Sequence, residues 1–271
     1  MQNLTILGFS LYDILFYIAI YGFLGWCLEV VYSAVNTGGF INRGFLNGPI
    51  CPIYGFGSVI VIVCFTPFKN NLLLLFLGSV FVTSLLEYIT GFILEKVFYN
   101  KWWDYSNMPF NINGYICLKF SLAWGAACIF LIKVFHPMIS SIVGLIPYFL
   151  GNVFLVIIIS LFIVDLVTSI NTVLKLNIRL EKIQKICAKI KEKSNALGED
   201  ISEEALEFKK KYENFSKETI ELKRRYINLM KKSNRFYIRL IKAFPHVKST
   251  KYFDALEVLK RSVIYKKKGK E

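Results

Sequence analysis

Two segments of the chain are near-duplicates, and each lies between two long apolar runs. Asn47-Gly48-Pro49-Ile50-Cys51 and Asn113-Gly114-Tyr115-Ile116-Cys117 share the pattern Asn-Gly-x-Ile-Cys. Each segment follows an apolar run that contains a Leu-Glu pair, Leu28-Glu29 in one case and Leu86-Glu87 in the other. Self-similarity of this kind indicates a duplicated structural unit. The sequence therefore predicts two helix–loop–helix repeats.

The apolar runs themselves predict helices that cross a membrane. The chain is 55% hydrophobic and 19% charged, which is too apolar for an ordinary soluble domain. A run of about 20 apolar residues is long enough to span a bilayer as an α-helix. We therefore predict an all-α polytopic protein with about five transmembrane helices, four in the two repeats plus a fifth. The runs cover about Leu11–Val35, Ile50–Phe68, Leu72–Val97, Tyr115–Phe135 and Ile146–Leu174.

Charged residues are divided very unevenly along the chain. Six basic and six acidic residues precede Ile170, whereas the remainder holds 27 basic and 13 acidic residues and hence the whole net charge of +14. A neutral membrane body with a basic tail explains this division better than a nucleic-acid-binding protein, because no zinc-finger or basic-zipper spacing is present. We predict a transmembrane domain at 1–174 and a basic cytoplasmic helical tail at 175–271.

The basic residues of the short loops predict the orientation, because Lys and Arg are enriched on the cytoplasmic side of a membrane. With five spans and a cytoplasmic tail, Arg43 and the segment 96–119 lie inside, and only Lys69 and Lys133 lie outside. We expect the N-terminus outside and both repeated loops inside, in a bacterial cytoplasmic (inner) membrane. The two repeats then share one orientation and are parallel.

Beyond Asn171, apolar residues recur every three or four positions with charges between them. This period predicts that the fifth helix continues as an amphipathic helix. We expect Asn195-Ala196-Leu197-Gly198 to break it and a second helix to run from about Asp200 to Pro245. The tail is thus predicted to be a helical hairpin or coiled coil, through which the protein could form a homo-oligomer. A tail that packs on itself and exposes a charged face is the alternative.

Three acids, Glu29, Glu87 and Asp165, lie inside apolar runs at comparable predicted depth in the cytoplasmic half of the membrane. A charged side chain at such depth costs about 2.5–3.5 kcal/mol on insertion scales and usually faces a partner or a water-filled cavity. Together with Arg43, the three acids are predicted to line an inward-facing polar vestibule that binds the substrate. The alternative is structural: Glu29 and Glu87 would tie helix ends to loop amides or to Arg43.

The repeated loops are rich in residues that break helices, so we expect both loops to dip into the inner leaflet. Trp102, Trp103 and Tyr105 are expected at the level of the lipid headgroups, where aromatic rings are favoured. The six cysteines are best interpreted as small apolar core residues, although two of them occupy matching positions in the repeats. The residues predicted to shape the loops are Asn47, Gly48, Pro49 and Cys51 in the first, and Asp104, Asn113, Gly114 and Cys117 in the second.

Motifs for several kinds of chemistry are missing from the sequence. No G-x-x-x-x-G-K-[ST] occurs, so ATP cannot bind in the Walker manner, and no G-x-S-x-G is present. His136 and His246 are the only histidines and are predicted on opposite sides of the membrane, and no close spacing of metal ligands accompanies them. We therefore expect no cofactor, no metal and no enzymatic activity.

Parts of the sequence resemble a bacterial membrane family, the CmpB-like proteins, which are catalogued as ABC-transporter type IV permeases. The resemblance covers about Tyr12–Asp165 and is most specific in the string Arg43–Gly57. It lies in the segments Tyr21–Glu29, Asn42–Gly57, Trp103–Ser106 and Asn111–Gly114. The resemblance implies a multi-span inner-membrane protein with a transport role, and it attaches no substrate or catalytic residue. The basic tail lies outside it.

These observations favour a transporter permease component whose gating loops are shaped by Asn47 and Asn113. If it belongs to an ABC system, a separate cytoplasmic ATPase subunit must bind to the loops or the tail. Two alternatives remain open. The protein could be a membrane-anchored scaffold or sensor that acts through its basic tail, or a lipid-modifying enzyme that uses the carboxylates or the paired cysteines.

Overall fold

The computed structural model describes residues 5–6, 8–199, 219–229 and 235–265. Much of the second predicted tail helix, at about 200–245, therefore lies outside the described residues. The helices are α1 (Leu11–Thr37), α2 (Pro52–Phe65), α3 (Leu72–Phe98), α4 (Leu118–Phe130), α5 (His136–Gly144), α6 (Tyr148–Glu199), α7 (219–229), α8 (Arg235–Ala243) and α9 (Phe253–Tyr265). A 3₁₀ turn, Thr66–Phe68, extends α2, and a π-helical segment, Leu131–Phe135, joins α4 to α5.

Three short antiparallel strand pairs complete the secondary structure of the described residues. The pair near the N-terminus precedes α1, a second forms a hairpin before α4, and the third joins the α3–α4 connection to the tail. The strands are β1 (Thr5–Ile6) with β2 (Phe9–Ser10), β4 (Asn111–Ile112) with β5 (Ile116–Cys117), and β3 (Asn100–Lys101) with β6 (Lys248–Ser249). The protein is thus mainly helical, as predicted.

Four helices of the described chain are long and apolar enough to cross a membrane: Leu11–Thr37, Leu72–Phe98, Leu118–Gly144 and the first 45 residues of α6. The multi-span membrane architecture is thereby confirmed in outline. The second predicted span, Ile50–Phe68, forms a shorter apolar helix at Pro52–Phe68. The count of five spans therefore stays a prediction, as does the assignment of the two hairpins to parallel repeats.

Local sequence explains where the long helices begin and end. The Ser10 side chain accepts a hydrogen bond from the Asp13 amide and so caps α1, while Asn71 caps α3 in the same way through the Leu74 amide. Side chains of this type satisfy amides that the first helical turn leaves unpaired. Helix α1 ends at Gly38, whose φ of +71° is the left-handed conformation that glycine adopts at little cost.

Helices α1 and α2 form a close antiparallel hairpin because glycines line their interface. A Cβ atom on Gly55 would lie 2.4 Å from the Ile18 carbonyl oxygen, and one on Gly25 would lie 2.3 Å from the Tyr54 side chain. Helices α3 and α4 form a second antiparallel hairpin, in which a Cβ atom on Gly125 would lie 2.4 Å from the Val80 side chain. Small residues at these points let the helix backbones approach closely, as in many membrane helix pairs.

Two apolar clusters stabilise opposite ends of the molecule. The first joins the N-terminal half of α1 to the ends of α2, α4 and α5 and to Leu155 of α6. The second joins the C-terminal end of α3 to residues 173–183 of α6 and to helices α8 and α9 of the tail. The described tail therefore packs on the membrane body, at the end of the molecule where both repeated loops lie.

Helix α6 continues without interruption from Tyr148 to Glu199. The break expected at Asn195–Gly198 is wrong, because these residues remain helical. The predicted domain boundary at residue 174 lies inside this helix, and the second apolar cluster includes side chains on both sides of it, from Phe98 to Leu180. The continuation of the fifth apolar run into the tail as one helix is confirmed.

Candidate functional site

The connection between α1 and α2, which we call loop 1 (residues 38–51), lies along the side of α1. The Cys51 amide donates a 2.9 Å hydrogen bond to the carbonyl oxygen of Gly22, a residue near the middle of α1. About 22 Å of helix separates Gly22 from the C-terminal end of α1. The Trp26 indole donates a 2.8 Å bond to Asn42, which holds the middle of loop 1 to the same helix. Loop 1 thus turns back along α1, and α2 starts beside the middle of that helix.

The connection between α3 and α4, loop 2 (residues 99–117), lies along α3 in a similar way. The Tyr115 hydroxyl donates a 2.7 Å bond to Glu95, and the Tyr105 hydroxyl donates a 3.2 Å bond to Glu87. Asn113 and Gly114 have φ values of +52° and +70°, and the Tyr115 amide donates to the Ile112 carbonyl oxygen. Two successive positive φ values are typical of the type I′ turn that joins short hairpins and favours Asn-Gly.

The three predicted acids lie at similar heights along their helices. Glu29 belongs to α1, which starts at Leu11, Glu87 to α3, which starts at Leu72, and Asp165 to α6, which starts at Tyr148. Each acid is therefore separated from the start of its helix by about 22–27 Å. Their contacts nevertheless differ, and each acid is described in turn.

Glu29 is paired but still partly exposed. Its carboxylate accepts a 2.8 Å hydrogen bond from the Tyr54 hydroxyl of α2 and lies 3.5 Å from the Arg43 side chain of loop 1. The side chains of Glu29 and Arg43 are 27% and 30% exposed. The structure therefore brings together two of the predicted vestibule residues as an ion pair beside α2.

Glu87 has one satisfied and one unsatisfied carboxylate oxygen. Oε1 accepts from Tyr105, whereas Oε2 is buried and has no hydrogen-bond partner within the described part of the chain. Burial raises the pKa of the Tyr105 phenol well above its usual value, and the negative charges of Glu87 and, more weakly, Glu29 raise it further. The Tyr105 ring stacks on Phe120 of α4, and the Tyr54 ring, whose hydroxyl bonds to Glu29, meets Trp124 one turn further along the same helix. Both tyrosine–glutamate pairs therefore lie against α4.

Both carboxylate oxygens of Asp165 accept hydrogen bonds from loop 1. Its Oδ1 accepts from the Asn47 amide at 3.1 Å and from the Asn47 side chain at 2.9 Å, and its Oδ2 accepts from the Gly48 amide at 2.6 Å. The Asn47 side chain also donates to Ser169, which is buried one turn further along α6. The structural alternative for the acids was a bond to loop amides or to Arg43. Asp165 makes the first kind of contact and Glu29 the second.

Arg239 of α8 is a site residue that the sequence analysis did not identify. Its guanidinium donates to three consecutive carbonyl oxygens of loop 1, at 2.8 Å to Gly44, 3.1 Å to Phe45 and 2.9 Å to Leu46. Burial lowers the pKa of Arg239, and the nearby carboxylate of Asp165 opposes that shift. Arginine remains charged under such conditions. The carbonyl groups of loop 1 therefore bind a cation of the tail, Arg239, and its amide groups bind an acid of α6, Asp165.

Comparison with known proteins adds a family to this geometry. The model of a family described as "Putative ABC-transporter type IV", the CmpB-like proteins, matches residues 16–170. The chain belongs to this family. No curated protein and no solved structure matched it. The resemblance inferred from the loop sequences is thus confirmed, and its extent agrees closely with the predicted one.

The CmpB-like match divides the site into two parts. The four predicted vestibule residues, Glu29, Arg43, Glu87 and Asp165, all lie within the matched residues 16–170. Arg239 and its neighbours in α8 and β6 lie outside the match. The tail of this CmpB-like protein therefore contacts the loops of the family domain from outside the region that defines the family.

The predicted loop-shaping residues have distinct contacts. Besides Asn47 and Gly48, Cys51 is a buried residue at the start of α2 and Cys117 is its buried counterpart at the start of α4. Both thiols are shielded from solvent in this state, and buried structural cysteines are unreactive, which disfavours a covalent role for them.

In loop 2, Asp104 and the Asn113–Gly114 turn support one another. Asp104 accepts from the Ser106 amide and from the Lys248 side chain of β6, and it lies 3.4 Å from Lys101. Burial favours a raised pKa for Asp104, but the hydrogen bonds of Lys248 and Ser106 outweigh it and hold the pKa well below its usual range. Lys101 also donates to the Asn113 carbonyl oxygen.

The remaining predicted loop-shaping residue, Pro49 of loop 1, is exposed.

The aromatic residues of loop 2 pack against other parts of the protein. Trp102 is 7% exposed and packs edge-on against Phe45 of loop 1 and Phe244 of the tail. The Trp103 indole donates to the Tyr115 carbonyl oxygen, and the Tyr105 ring stacks on Phe120 of α4. Trp102 is thus covered by the tail, and the headgroup level of the three rings stays a prediction.

No group of three or more His, Cys, Asp or Glu side chains in the described residues is arranged to hold a metal ion. His136, one of the two histidines, lies beside Tyr21 of α1, with 3.1 Å between its Nδ1 and the Tyr21 hydroxyl oxygen. The ring also meets Tyr17 edge-on. These contacts give His136 a packing role between α1 and the start of α5.

Proposed function

We propose that this CmpB-like protein is the permease component of a transporter and that its substrate site lies between the two helical hairpins. The observation that carries the proposal is that two tyrosine–glutamate pairs, Tyr54–Glu29 and Tyr105–Glu87, pack against one helix, α4. An acid from each hairpin thereby contributes to one polar region inside an apolar body. Polar groups in such surroundings usually mark the path of a substrate or an ion.

Within this proposal the four predicted residues have separate roles. Glu29 and Arg43 are partly exposed and form the accessible edge of the site. Glu87 offers a buried carboxylate oxygen that has no partner among the described contacts. Asp165 positions loop 1 through the Asn47 and Gly48 amides instead of facing the substrate. Asn47 and Asn113 shape loops whose movement would open the site.

The proposed topology has five spans, with the N-terminus outside and both loops and the tail in the cytoplasm. Its support is the position of both loops at the tail end of the molecule, while Tyr12 and Tyr148 pack together at the other end with 5.1 Å between their ring centroids. The basic tail then lies on the side where basic residues are enriched. In a bacterium this membrane would be the cytoplasmic membrane.

A separate ATPase is the proposed partner if the transporter is of the ABC type, since this sequence contains no Walker motif. Loop 1, loop 2 and the tail lie at one end and together offer the surface for such a subunit. Homo-oligomerisation through the tail stays a prediction. The proposal assigns no enzymatic activity, cofactor or metal to the chain itself.

The sharpest test is Glu29→Gln, measured by uptake of a panel of radiolabelled ions and small solutes into proteoliposomes, with and without a candidate ATPase. We expect loss of uptake with retained folding, because the amide cannot attract a cation or pair fully with Arg43. Glu95→Gln is the matched control, since Glu95 contacts Tyr115 at the edge of loop 2. Normal uptake by Glu29→Gln would exclude the proposed site.

The topology is tested separately with single introduced cysteines in intact vesicles. Cysteines at positions 43 and 104 are expected to react only from the cytoplasmic side, whereas a cysteine at position 69 is expected to react from outside. Reaction of positions 43 and 104 from outside would contradict the proposed orientation.

A membrane sensor that acts through its tail is the second candidate function. The observation that favours it is the direct bond between Arg239 and three carbonyls of loop 1. A sensor would transmit a change in the tail to the membrane body through this contact without moving a solute. A protein that shows no uptake with any ATPase, but whose tail variants change the activity of a bound partner, would support this function over transport.

A further inference from the structure

One segment of the tail contacts both repeated loops. This segment, which we call the strap, comprises residues 239–249 and runs from the middle of α8 through β6. Arg239 at its start contacts loop 1, and Lys248 and Ser249 at its end contact loop 2. Between them Leu240, Ile241 and Val247 are buried in the apolar cluster that joins the tail to α3 and α6.

The strap and α6 both form hydrogen bonds with the backbone of loop 1. Arg239 donates to three carbonyl oxygens in the range 44–46, and Asp165 accepts from the next two amides, those of Asn47 and Gly48. Hydrogen bonds to charged groups are about twice as strong as neutral ones. Loop 1 is thus held between an arginine and a carboxylate from two different helices.

At loop 2 the strap adds a strand. Asn100 pairs with Ser249 and Lys101 with Lys248 in the antiparallel β3–β6 ladder. The Lys248 ammonium lies 2.6 Å from the Asp104 carboxylate. The Thr250 amide just beyond the strap donates to the Tyr99 carbonyl oxygen at 2.9 Å. Main-chain pairing of this kind is the way in which an added strand usually binds a sheet edge.

We infer that the strap is an intramolecular latch, which holds loop 1 closed against α1 and α6 in the resting protein. Loop 1 carries Arg43, so its departure from α1 would separate Arg43 from Glu29 and uncover the polar region beside Tyr54. Release of Arg239 is the step that permits this movement, because the Arg239 bonds join the loop to the tail. The regulatory meaning of the latch rests on the proposed function, whereas the closed state of the loop does not.

The test measures how fast a buried thiol of loop 1 reacts. Cys51 lies at the end of loop 1 and is 6% exposed, so its alkylation by N-ethylmaleimide reports opening of the loop. Full-length protein with Cys51 as the single cysteine is purified in detergent, with the other five cysteines replaced by Ala. Its alkylation rate is compared between the parent, Arg239→Gln and Arg239→Lys at one pH.

We expect Arg239→Gln to raise the alkylation rate of Cys51 about tenfold, since loss of a charged hydrogen-bond donor increases the population of the locally open state. Arg239→Lys, which retains the charge but has no fork of donors, is expected to give an intermediate rate. Arg261→Gln is the matched control, because it removes an exposed charge from the same tail and should leave the rate unchanged.

A second background with Cys117 as the single cysteine separates opening of loop 1 from general unfolding. Cys117 is the buried counterpart in loop 2. The Arg239 substitutions leave the residues of β6 unchanged, so we expect loop 2 to stay paired and the alkylation rate of Cys117 to stay at the parent value. Equal acceleration of Cys51 and Cys117, or an unchanged Cys51 rate in Arg239→Gln, would overturn the latch. Neither readout requires transport, so the latch and the transport proposal can fail independently.

Discussion

Asp165 of α6 and Asn47 of loop 1 are joined by two hydrogen bonds, one from the Asn47 amide at 3.1 Å and one from its side chain at 2.9 Å. The residues are 118 positions apart. This pair attaches the loop of the first hairpin to a helix that lies outside both hairpins. The acid that the sequence analysis assigned to a substrate site is therefore engaged in fixing loop 1.

Asp165→Asn is expected to destabilise the protein by about 2 kcal/mol, because a hydrogen bond to a charged group contributes about 1.5–3 kcal/mol. Four donors reach the carboxylate, namely the Asn47 amide and side chain, the Gly48 amide and the Ser169 hydroxyl. An Asn side chain has only one carbonyl oxygen for them, and its NH₂ group would face an amide. Thermal unfolding in detergent measures the change. Thr168→Ala is the control, since Thr168 is exposed on the same helix and bonds to the Asp165 carbonyl oxygen of its own turn. Equal losses for the two variants would contradict the anchoring role of the carboxylate.

Two glycines of α2 offer a matched test of the close α1–α2 packing. A Cβ atom at Gly55 would lie 2.4 Å from the Ile18 carbonyl oxygen, whereas the nearest atom to one at Gly57 is 3.9 Å away. We expect Gly55→Ala to lower the free energy of unfolding by about 1–3 kcal/mol, the usual effect of overpacking. Gly57→Ala should be neutral or raise it by up to about 1 kcal/mol, because Ala favours a helix. Similar melting temperatures for both variants would be inconsistent with this interface.

Much of the membrane body could be predicted because its signals are local. The length of an apolar run predicts a span directly. The helix-breaking residues predicted the two loops, and the second predicted run, Ile50–Phe68, begins two residues before α2. What the sequence did not reveal is that loop 1 turns back along α1, which makes α2 shorter than the run Ile50–Phe68.

Contacts made by the tail could not be predicted for a physical reason. Arg239 lies about 195 positions from Gly44, and one arginine among the many basic residues of the tail carries no signal that distinguishes a buried donor from a solvated charge. The burial of Trp102 was not predicted for the same reason, because Phe244, which packs on it, comes from the tail. Helix α6 passes through Gly198, which shows that an unfavourable propensity of about 1 kcal/mol does not by itself end a long helix.

Removal of the tyrosine hydroxyl that bonds to Glu29 or to Glu87 is expected to destabilise the protein by unequal amounts. In Tyr54→Phe, Glu29 loses one hydrogen bond and keeps Arg43 at 3.5 Å. In Tyr105→Phe, Glu87 loses its hydrogen-bond donor while its other oxygen is already buried without a partner among the described residues. An unsatisfied buried polar group costs about 1–3 kcal/mol, compared with about 0.5–1.5 kcal/mol for an ordinary hydrogen bond. We therefore expect Tyr105→Phe to lower the melting temperature more, as measured in detergent; the reverse order would contradict this account of Glu87.

The contact between Lys248 of the strap and Asp104 of loop 2 should resist mild acid. Hydrogen bonds from Lys248 and Ser106 overcome the effect of burial and depress the pKa of Asp104 in the folded protein. A carboxylate with a depressed folded pKa contributes stability that is complete above its ordinary pKa, about 3.9, and that is lost as the pH falls through the lower folded value.

Asp104→Asn is accordingly expected to lower the free energy of unfolding by about 1 kcal/mol, a typical value for a partly exposed ion pair. The difference from the parent protein should stay constant between about pH 7 and pH 5 and shrink only in strong acid. Thermal unfolding across this range measures it. Lys248→Gln should reproduce the loss, whereas Lys242→Gln, which removes an exposed charge of the same strap, should not. A difference that disappears already near pH 5 would mean that the Asp104 pKa is not depressed, and the strap would then have a weaker hold on loop 2 than its geometry indicates.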